Sequence, residues 1–454
     1  MIQRIRTLAT GDGLRAKTLR GTALTITHFG FANAMRLGSN LILTRLLFPE
    51  AFGLMALVQV VLNGLQLFSD FGLRASVVQS PRGDDPAFLN TGWVIQIGRG
   101  ILLFMASWAL AAPAAQLYDA PMLALLMPVA GIGAIIAGFN STKVMTANRH
   151  LQLGRLTVLE LTSQAAGIIA MIALAMIWPS VWSLVIGGIL GSIVKMALSH
   201  VLLPGPINRF EWEAKAARNL FSFGKFIFIS TMAGFLLNNA DRAILGKYIT
   251  LTELSVYTIA FFLASVPMLL HQNIVTNVFF PLYGRKPPQD SPQNRQQLSR
   301  LRFAVSAGLF TLSFALAAGG VLIIDTLYDP RYALAGPILI LLSLSRLPEL
   351  LIGSYGHLAL AAGKSGEFAT FVVASAVVRT AVLLIAIAQF GLTGGVLATG
   401  ISAALMYLPT LWLARRYHGW DPLHDLTFAA LGGIGALMVL GWHHAALAPL
   451  WAVF

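Results

Sequence analysis

Cysteine is absent from the 454 residues, which excludes a disulfide scaffold, a Cys-ligated metal site and a thiol nucleophile. Charged residues are also scarce: they make up 11% of the chain, against about 25% in soluble globular proteins. Apolar residues make up 57%, and the mean hydropathy is +0.74. A water-soluble fold is therefore excluded. Since one bilayer crossing takes about 20 apolar residues, the chain has room for about a dozen spans and little else.

What the sequence does have is a series of long apolar runs broken by Pro, Gly and charged residues, which predicts membrane helices. The N-terminal stretch is too long and too polar for a signal peptide, so the first apolar run is expected to be a retained span. The thirteen predicted helices cover approximately residues 22–46, 51–73, 90–117, 121–140, 156–178, 181–203, 219–247, 253–283, 301–325, 333–362, 366–390, 394–414 and 426–442.

The net charge of +13 is distributed unevenly along the predicted connections. If the N-terminus is cytoplasmic, 21 of the 31 Lys and Arg residues fall on the cytoplasmic side, and only Arg45, Lys247 and Arg331 fall on the opposite side. Cytoplasmic loops of membrane proteins carry such an excess of basic residues. The sequence therefore predicts a cytoplasmic N-terminus, and the basic excess needs no nucleic-acid partner.

Two segments 202 positions apart are similar in pattern. Each segment predicts a helix end, a short charged turn and a new helix. The segments are LILTRLLFPEAFGLMAL around Arg45 and AILGKYITLTELSVYTIA around Lys247. Chance similarity between two membrane turns is the alternative. If the repeat is real, each segment opens a six-helix unit and the two units are parallel, because six is an even number of spans. The predicted lobes are residues 1–205 and 206–416, followed by an additional transmembrane segment at 417–454.

Two segments resemble the openings of the two halves of proteins in a known family. The first segment is TRLLFPEAFGLMALVQVVLNGLQLFSDFGLRASVVQ. The second is FSFGKFIFISTMAGFLLNNADRAILGKYITLTELSVYTIAFFLASVP, and VFFPLYGR follows it. This is the oligosaccharide flippase, or polysaccharide transporter, family of the multidrug/oligosaccharidyl-lipid/polysaccharide exporter superfamily. In chain length and in the order and hydropathy of its segments, the resemblance extends over about residues 15–420. It implies an all-α integral membrane protein with about 12–14 transmembrane helices, in two parallel six-helix lobes around a central cavity.

The same resemblance implies a function and partners. The expected substrate is a polyprenyl-pyrophosphate-linked oligosaccharide, or a related polysaccharide intermediate, moved from the inner to the outer leaflet of a bacterial cell membrane. Membrane lipids and the polysaccharide polymerase machinery are the expected partners, and no cofactor is expected.

Arg36, Arg99, Arg346 and Arg379 lie nearer to mid-membrane than the other basic residues of the predicted spans. A charge that faces lipid costs a few kcal/mol or more, whereas a guanidinium binds phosphate oxygens in a bidentate fashion. The sequence therefore predicts a cationic cavity, with the alternative that these arginines bond to protein groups. Polar residues at helical spacing on the first two helices are candidate partners of sugar hydroxyls, or else interhelical hydrogen-bonding groups: Asn33, Asn40, Gln59 and Asn63.

The acidic residues and one histidine of the spans are candidates for ion coupling. They are Asp70, Asp241, Glu349 and His271. Each has a structural alternative: Asp70 lies near a cytoplasmic helix end, and a lone His within a membrane is more often a hydrogen-bonded structural residue. Glu349 has Arg346 three residues before it, so mutual neutralisation of these two side chains is an equal alternative to a role in substrate binding or ion coupling.

No nucleotide-binding, metal-ligating or nucleophile motif is present, so no catalytic or metal residue is predicted. Two alternatives to the flippase remain. A drug/cation antiporter of the same superfamily should offer mainly carboxylates to its substrates, while a membrane-embedded glycan ligase or glycosyltransferase should carry a sizeable external loop.

Overall fold

The computed structural model describes residues 14–69 and 72–451, and helices account for all the regular structure in these ranges. The first helices are α1 (Leu14–Leu46), α2 (Pro49–Phe68), α3 (Leu73–Gln79), α4 (Pro86–Leu117), α5 (Leu123–Gly138), α6 (Lys143–Arg149), α7 (Leu153–Ile177), α8 (Val181–Val201) and α9 (Ala214–Tyr248). They are followed by α10 (Leu251–Ala264), α11 (Val266–Ile274), a π-helical turn (Val275–Phe279), α12 (Phe280–Arg285), α13 (Pro292–Ala318), α14 (Gly320–Leu327), a 3₁₀ turn (Pro330–Tyr332), α15 (Ala335–Ser345), α16 (Leu347–Ile352), α17 (His357–Ala361), α18 (Ser365–Leu405), α19 (Tyr407–Arg416), α20 (Pro422–Trp442) and α21 (His444–Trp451).

Many of these helices are long and apolar enough to cross a bilayer. Within the described residues eight helices meet that requirement, and the number rises to ten if each of two bent helix pairs forms one span. Each of the thirteen predicted segments coincides with a helix, or with helices that follow one another across a bend. The prediction of an all-α multi-pass membrane protein is confirmed.

The helix breaks follow from local sequence. Inside α18, Phe390 and Gly391 have non-helical dihedral angles, and Gly391 has a φ of +52° that a residue with a Cβ rarely adopts. This break falls where the sequence predicted one span to end and the next to begin. Pro348 stands in the first turn of α16, so α15 ends at Ser345 and the chain bends.

The chain divides into two compact units, one that ends at Met232 and one that begins at Ala233. In the N-terminal unit, α7 and α8 approach to backbone contact, because a Cβ on Gly167 would lie 3.3 Å from the Cα of Gly191. Small residues permit this close packing of membrane helices. In the C-terminal unit, α20 packs on α13 through aromatic rings, with 5.0 Å between the centroids of Phe310 and Phe428.

The segment that precedes α9 is held on the N-terminal unit by polar contacts. The buried Asn208 side chain accepts hydrogen bonds from Ser141 Oγ at 2.8 Å and from the Thr142 backbone N–H at 3.2 Å. Arg82 donates to both carboxylate oxygens of Glu213. These contacts fix the path by which the chain enters α9.

Candidate functional site

The predicted polar face of α1 is only partly enclosed. Arg36 is exposed, and within residues 14–69 and 72–451 its side chain has no hydrogen bond or ion pair. Asn33 and Asn40 are half-buried, and the Asn33 amide donates to the Phe29 carbonyl of its own helix at 2.8 Å. The helix therefore presents a guanidinium whose charge is not offset by a described carboxylate.

The polar stripe on α2 is exposed along its length. Gln59, Asn63 and Gln66 are all exposed, although Ala56 and Val60 on the same helix are buried. Spacing of four and three residues puts the three amides on one helix face. Asp70, the ion-coupling candidate that follows α2, lies outside the described residues.

Arg99 of α4 is bonded to the end of α2 and lines a cavity. Its Nε donates to Ser69 Oγ at 2.9 Å. The cavity, of about 380 Å³, is lined by basic residues from two other positions of the N-terminal unit. Its ionisable lining residues are Arg74, Arg99, Glu160 and Lys195, with Lys195 Nζ 2.8 Å from a Glu160 oxygen. We call this the N-terminal cavity.

A second cavity, of about 440 Å³, lies in the C-terminal unit, and we call it the C-terminal cavity. Arg379 Nη1 is 3.4 Å from Glu349 Oε1, and Nη2 donates to Thr399 Oγ1 at 3.2 Å. His271 also lines this cavity and is buried. Three predicted residues, Arg379, Glu349 and His271, are thus brought together. The lining is completed by Leu237, Asn238, Met268, Gln272, Val275, Thr276, Ile352, Gly353, Gly356, His357, Phe368, Phe371, Val372, Ser375, Thr399, Ser402, Ala403 and Met406.

Arg346 is not part of this lining. It is 6% exposed, and its guanidinium carbon lies 4.4 Å from the centroid of the Phe261 ring. Arg242 lies 4.5 Å from the same centroid. The expected neutralisation of Arg346 by Glu349 is replaced by the pair of Glu349 with Arg379, because α18 brings a guanidinium to the carboxylate from a different helix.

Asp241 is buried in α9 and accepts a hydrogen bond from the Tyr257 hydroxyl at 2.8 Å. Its second oxygen is buried and has no hydrogen-bond partner among the described residues. The sequence predicted Asp241 as a candidate but gave no indication of Tyr257, since a tyrosine within an apolar run carries no distinctive signal.

A buried polar network at one end of the C-terminal unit was also missed. Arg302, which lies at the start of the predicted helix 301–325 and is one of the 21 basic residues counted on the cytoplasmic side, is 4% exposed. It donates to the Gly419 carbonyl at 3.1 Å and lies over the Tyr355 ring at 4.3 Å. Tyr355 in turn donates to Asp425 at 2.8 Å. The one indication of this network in the sequence was the acidic residue Asp425, directly before the predicted helix 426–442.

The fold defines a multi-pass helical membrane protein, and each of its two units contains a cavity with ionisable residues in its lining. The chain belongs to the polysaccharide biosynthesis protein family, whose model matches residues 42–335. The family resemblance inferred from the sequence is thereby confirmed.

Curated relatives are similar over part of their length. The chain is 24% identical over 306 residues to the succinoglycan biosynthesis transport protein ExoT of Rhizobium meliloti (strain 1021), a match that covers 67% of this chain and 61% of that protein. It is 25% identical over 226 residues to the probable low-salt glycan biosynthesis flippase Agl15 of Haloferax volcanii, over 46% of this chain and 47% of that one. These matches thus span between about half and three fifths of the relatives' length.

Among solved structures, the fold is similar to that of the lipid II flippase MurJ in an inward closed conformation. The TM-score is 0.66 at 13% sequence identity, over 94% of this chain and 100% of that one. At this identity the likeness establishes the fold.

Proposed function

We propose that the protein is a flippase that moves a lipid-linked oligosaccharide, or a related polysaccharide precursor, from the inner to the outer leaflet of a bacterial inner membrane. Family membership and the relatives named as a transport protein and a flippase support this proposal, and they favour a transporter over an enzyme. The observation that carries it is the exposed Arg36 on a helix that the sequence predicts to cross the membrane, followed along the chain by a helix with exposed amides at Gln59, Asn63 and Gln66.

The positive charge of Arg36 indicates the charge of the substrate group that it binds. A guanidinium within a membrane costs a few kcal/mol or more unless it has a partner or faces water. Arg36 has no carboxylate partner among the described residues. An anionic group of the substrate, such as a pyrophosphate, supplies the missing partner with two parallel hydrogen bonds. A cationic drug, the substrate of the alternative antiporter, would be repelled.

The other predicted residues take lesser parts in the proposal. Asn33, Asn40, Gln59 and Asn63 are proposed to bind sugar hydroxyls, because amides both donate and accept hydrogen bonds. The remaining arginines, Arg99, Arg346 and Arg379, are held by protein groups, so Arg36 is the residue that we propose as the anion ligand. Asp70, Asp241, Glu349 and His271 stay the candidates for ion coupling.

For the whole protein we propose alternating access by rocking of two lobes, residues 1–205 and 206–416, with the segment at 417–454 attached to the second. The N-terminus is proposed to be cytoplasmic on the strength of the basic residues. Membrane lipids and a polysaccharide polymerase are the proposed partners.

The test is a leaflet-resolved assay of lipid-linked glycans in cells that carry the parental chain or a variant. We expect Arg36→Gln to slow appearance of the glycan in the outer leaflet at least tenfold and Arg36→Lys to slow it less, since Lys keeps the charge and loses the planar fork. The control is Lys364→Gln, an exposed residue on a helix connection, which should behave as the parent. Parental rates for Arg36→Gln at normal abundance would refute the cationic mechanism.

A further inference from the structure

The C-terminal cavity differs in charge from the N-terminal cavity. The ionisable lining of the C-terminal cavity consists of Arg379, Glu349, His271 and His357, so with neutral histidines its formal charges cancel. The N-terminal cavity is lined by three basic residues and one acidic residue. The two cavities therefore differ in the charge of the ligand groups that they suit.

Arg379 is poorly placed to receive a phosphate. Both of its terminal nitrogens are engaged, one 3.4 Å from Glu349 Oε1 and the other 3.2 Å from Thr399 Oγ1. A pyrophosphate would have to displace Glu349 from the guanidinium and would then face the carboxylate at close range. Like charges brought together in a site of low dielectric repel strongly. The pair thus disfavours an anion in this cavity.

The rest of the lining suits a sugar ring. Phe368 and Phe371 provide aromatic surface, and aromatic faces pack well against the apolar face of a ring. The Gln272 side chain is exposed and makes no hydrogen bond among the described residues, and His357 Nδ1 is buried without a partner there. An amide and an imidazole both exchange hydrogen bonds with hydroxyl groups. A volume of about 440 Å³ falls within the usual range of small-molecule sites.

We infer that the C-terminal cavity is a subsite for a neutral or amino sugar of the transported glycan, and that it excludes the pyrophosphate. This inference rests on the proposed function and deepens it. The sugar stacks on Phe371, its hydroxyl groups bond to Gln272 and His357, and the Arg379–Glu349 pair keeps the cavity free of net positive charge.

The first experiment measures binding of methyl glycosides to the purified full chain in detergent micelles by isothermal calorimetry. The probes are the methyl glycosides of glucose, N-acetylglucosamine, glucosamine and glucuronic acid. We expect saturable binding of at least one of the first three, weaker binding of the glucuronide, and at least a tenfold loss of affinity in Phe371→Ala. The matched control is Val373→Ala on the same helix, an exposed residue outside the cavity, which should bind as the parent. If no glycoside binds in a manner that depends on Phe371, the subsite does not exist.

The second experiment uses inorganic pyrophosphate as the probe. Arg379→Gln should leave its affinity within twofold of the parental value. Glu349→Gln should raise it at least fivefold, because the substitution frees Arg379 and gives the cavity a net positive charge. A tenfold loss of pyrophosphate affinity in Arg379→Gln would show that the cavity is an anion site and would overturn the inference. The proposed function fails separately, if the unsubstituted chain does not translocate glycan in the leaflet assay.

Discussion

At the residue scale, the four arginines chosen from the sequence have three different environments. Arg36 is exposed, Arg99 and Arg379 line cavities while bonded to protein groups, and Arg346 is buried against an aromatic ring. Depth in the membrane therefore does not by itself identify a ligand-binding cation. A guanidinium that is enclosed by its own protein contacts protein groups, and its first role is therefore in the packing of the fold.

Phe261 shows how that packing operates, because its ring receives the guanidinium groups of both Arg242 and Arg346. A desolvated cation over an aromatic face is worth about 2 kcal/mol. We therefore expect Phe261→Leu to lower the free energy of unfolding by about 2 kcal/mol more than Phe262→Leu, measured by denaturation in micelles. Phe262 is a matched control, because it is the next residue, is similarly half-buried and has no cation over its ring within the described ranges. Equal losses would show that the ring acts through its apolar area alone.

At the scale of the element, α20 is joined to the C-terminal unit by a buried carboxylate. Asp425 accepts hydrogen bonds from the hydroxyls of Tyr355 at 2.8 Å and Tyr407 at 3.0 Å, and from the Trp420 indole at 3.2 Å. The His424 ring nitrogen lies 2.9 Å from the same carboxylate. The start of α20 is thus held at a fixed position by a carboxylate whose two oxygens are both bonded.

Asp425→Asn should destabilise the protein, because an amide cannot accept all of these bonds and places a donor against donors. We expect a loss of about 3 kcal/mol, in the range seen when one partner of a buried charged network is removed. The midpoint of thermal unfolding in micelles measures it. Asp290→Asn, at an exposed carboxylate in the connection before α13, should leave the midpoint unchanged. A normal midpoint for Asp425→Asn would mean that the network does not contribute to stability.

The segment before α9 is the second element with a specific attachment. Asn208 makes three hydrogen bonds with Ser141 and Thr142, and the Arg82 guanidinium lowers the pKa of the Glu213 carboxyl through its hydrogen bonds. Hydrogen bonds and an ion pair thus contribute to this attachment, so truncation of Asn208 should loosen the segment.

We expect Asn208→Ala to increase the rate of tryptic cleavage at Arg209 and Lys215 several-fold, because the truncation leaves the Thr142 amide and the Ser141 hydroxyl without their acceptor. Gel analysis of timed digests of the purified protein measures the rate. Ile207→Ala is the control, since Ile207 is 76% exposed and loses little contact on truncation. Unchanged cleavage in Asn208→Ala would show that other contacts suffice to hold the segment.

At the scale of the whole molecule, the absence of cysteine makes the orientation directly measurable. Single cysteines at Tyr248 and Asp290 stand at exposed positions on predicted opposite sides of the membrane. In intact cells an impermeant maleimide should label Tyr248→Cys and not Asp290→Cys, because the basic residues near position 290 mark the cytoplasmic side. After permeabilisation both should react. The reverse pattern in intact cells would invert the proposed topology.

The sequence by itself determined that this chain is an all-α membrane protein, where its helices run, and which helices are polar on one face. These features follow from composition and from the 3.6-residue period, both of which are local. Gly391 was likewise sufficient to separate two spans.

Only the tertiary structure decided which charges meet. Sequence spacing offered Arg346 as a partner of Glu349, because it lies three positions away, but Arg379 is the residue that forms the ion pair. Lys195 and Glu160 are likewise paired from separate helices. Such pairs depend on how each helix is rotated about its axis and shifted along its neighbour. Packing of small and apolar residues over the whole helix sets that rotation and shift, so no local pattern encodes them.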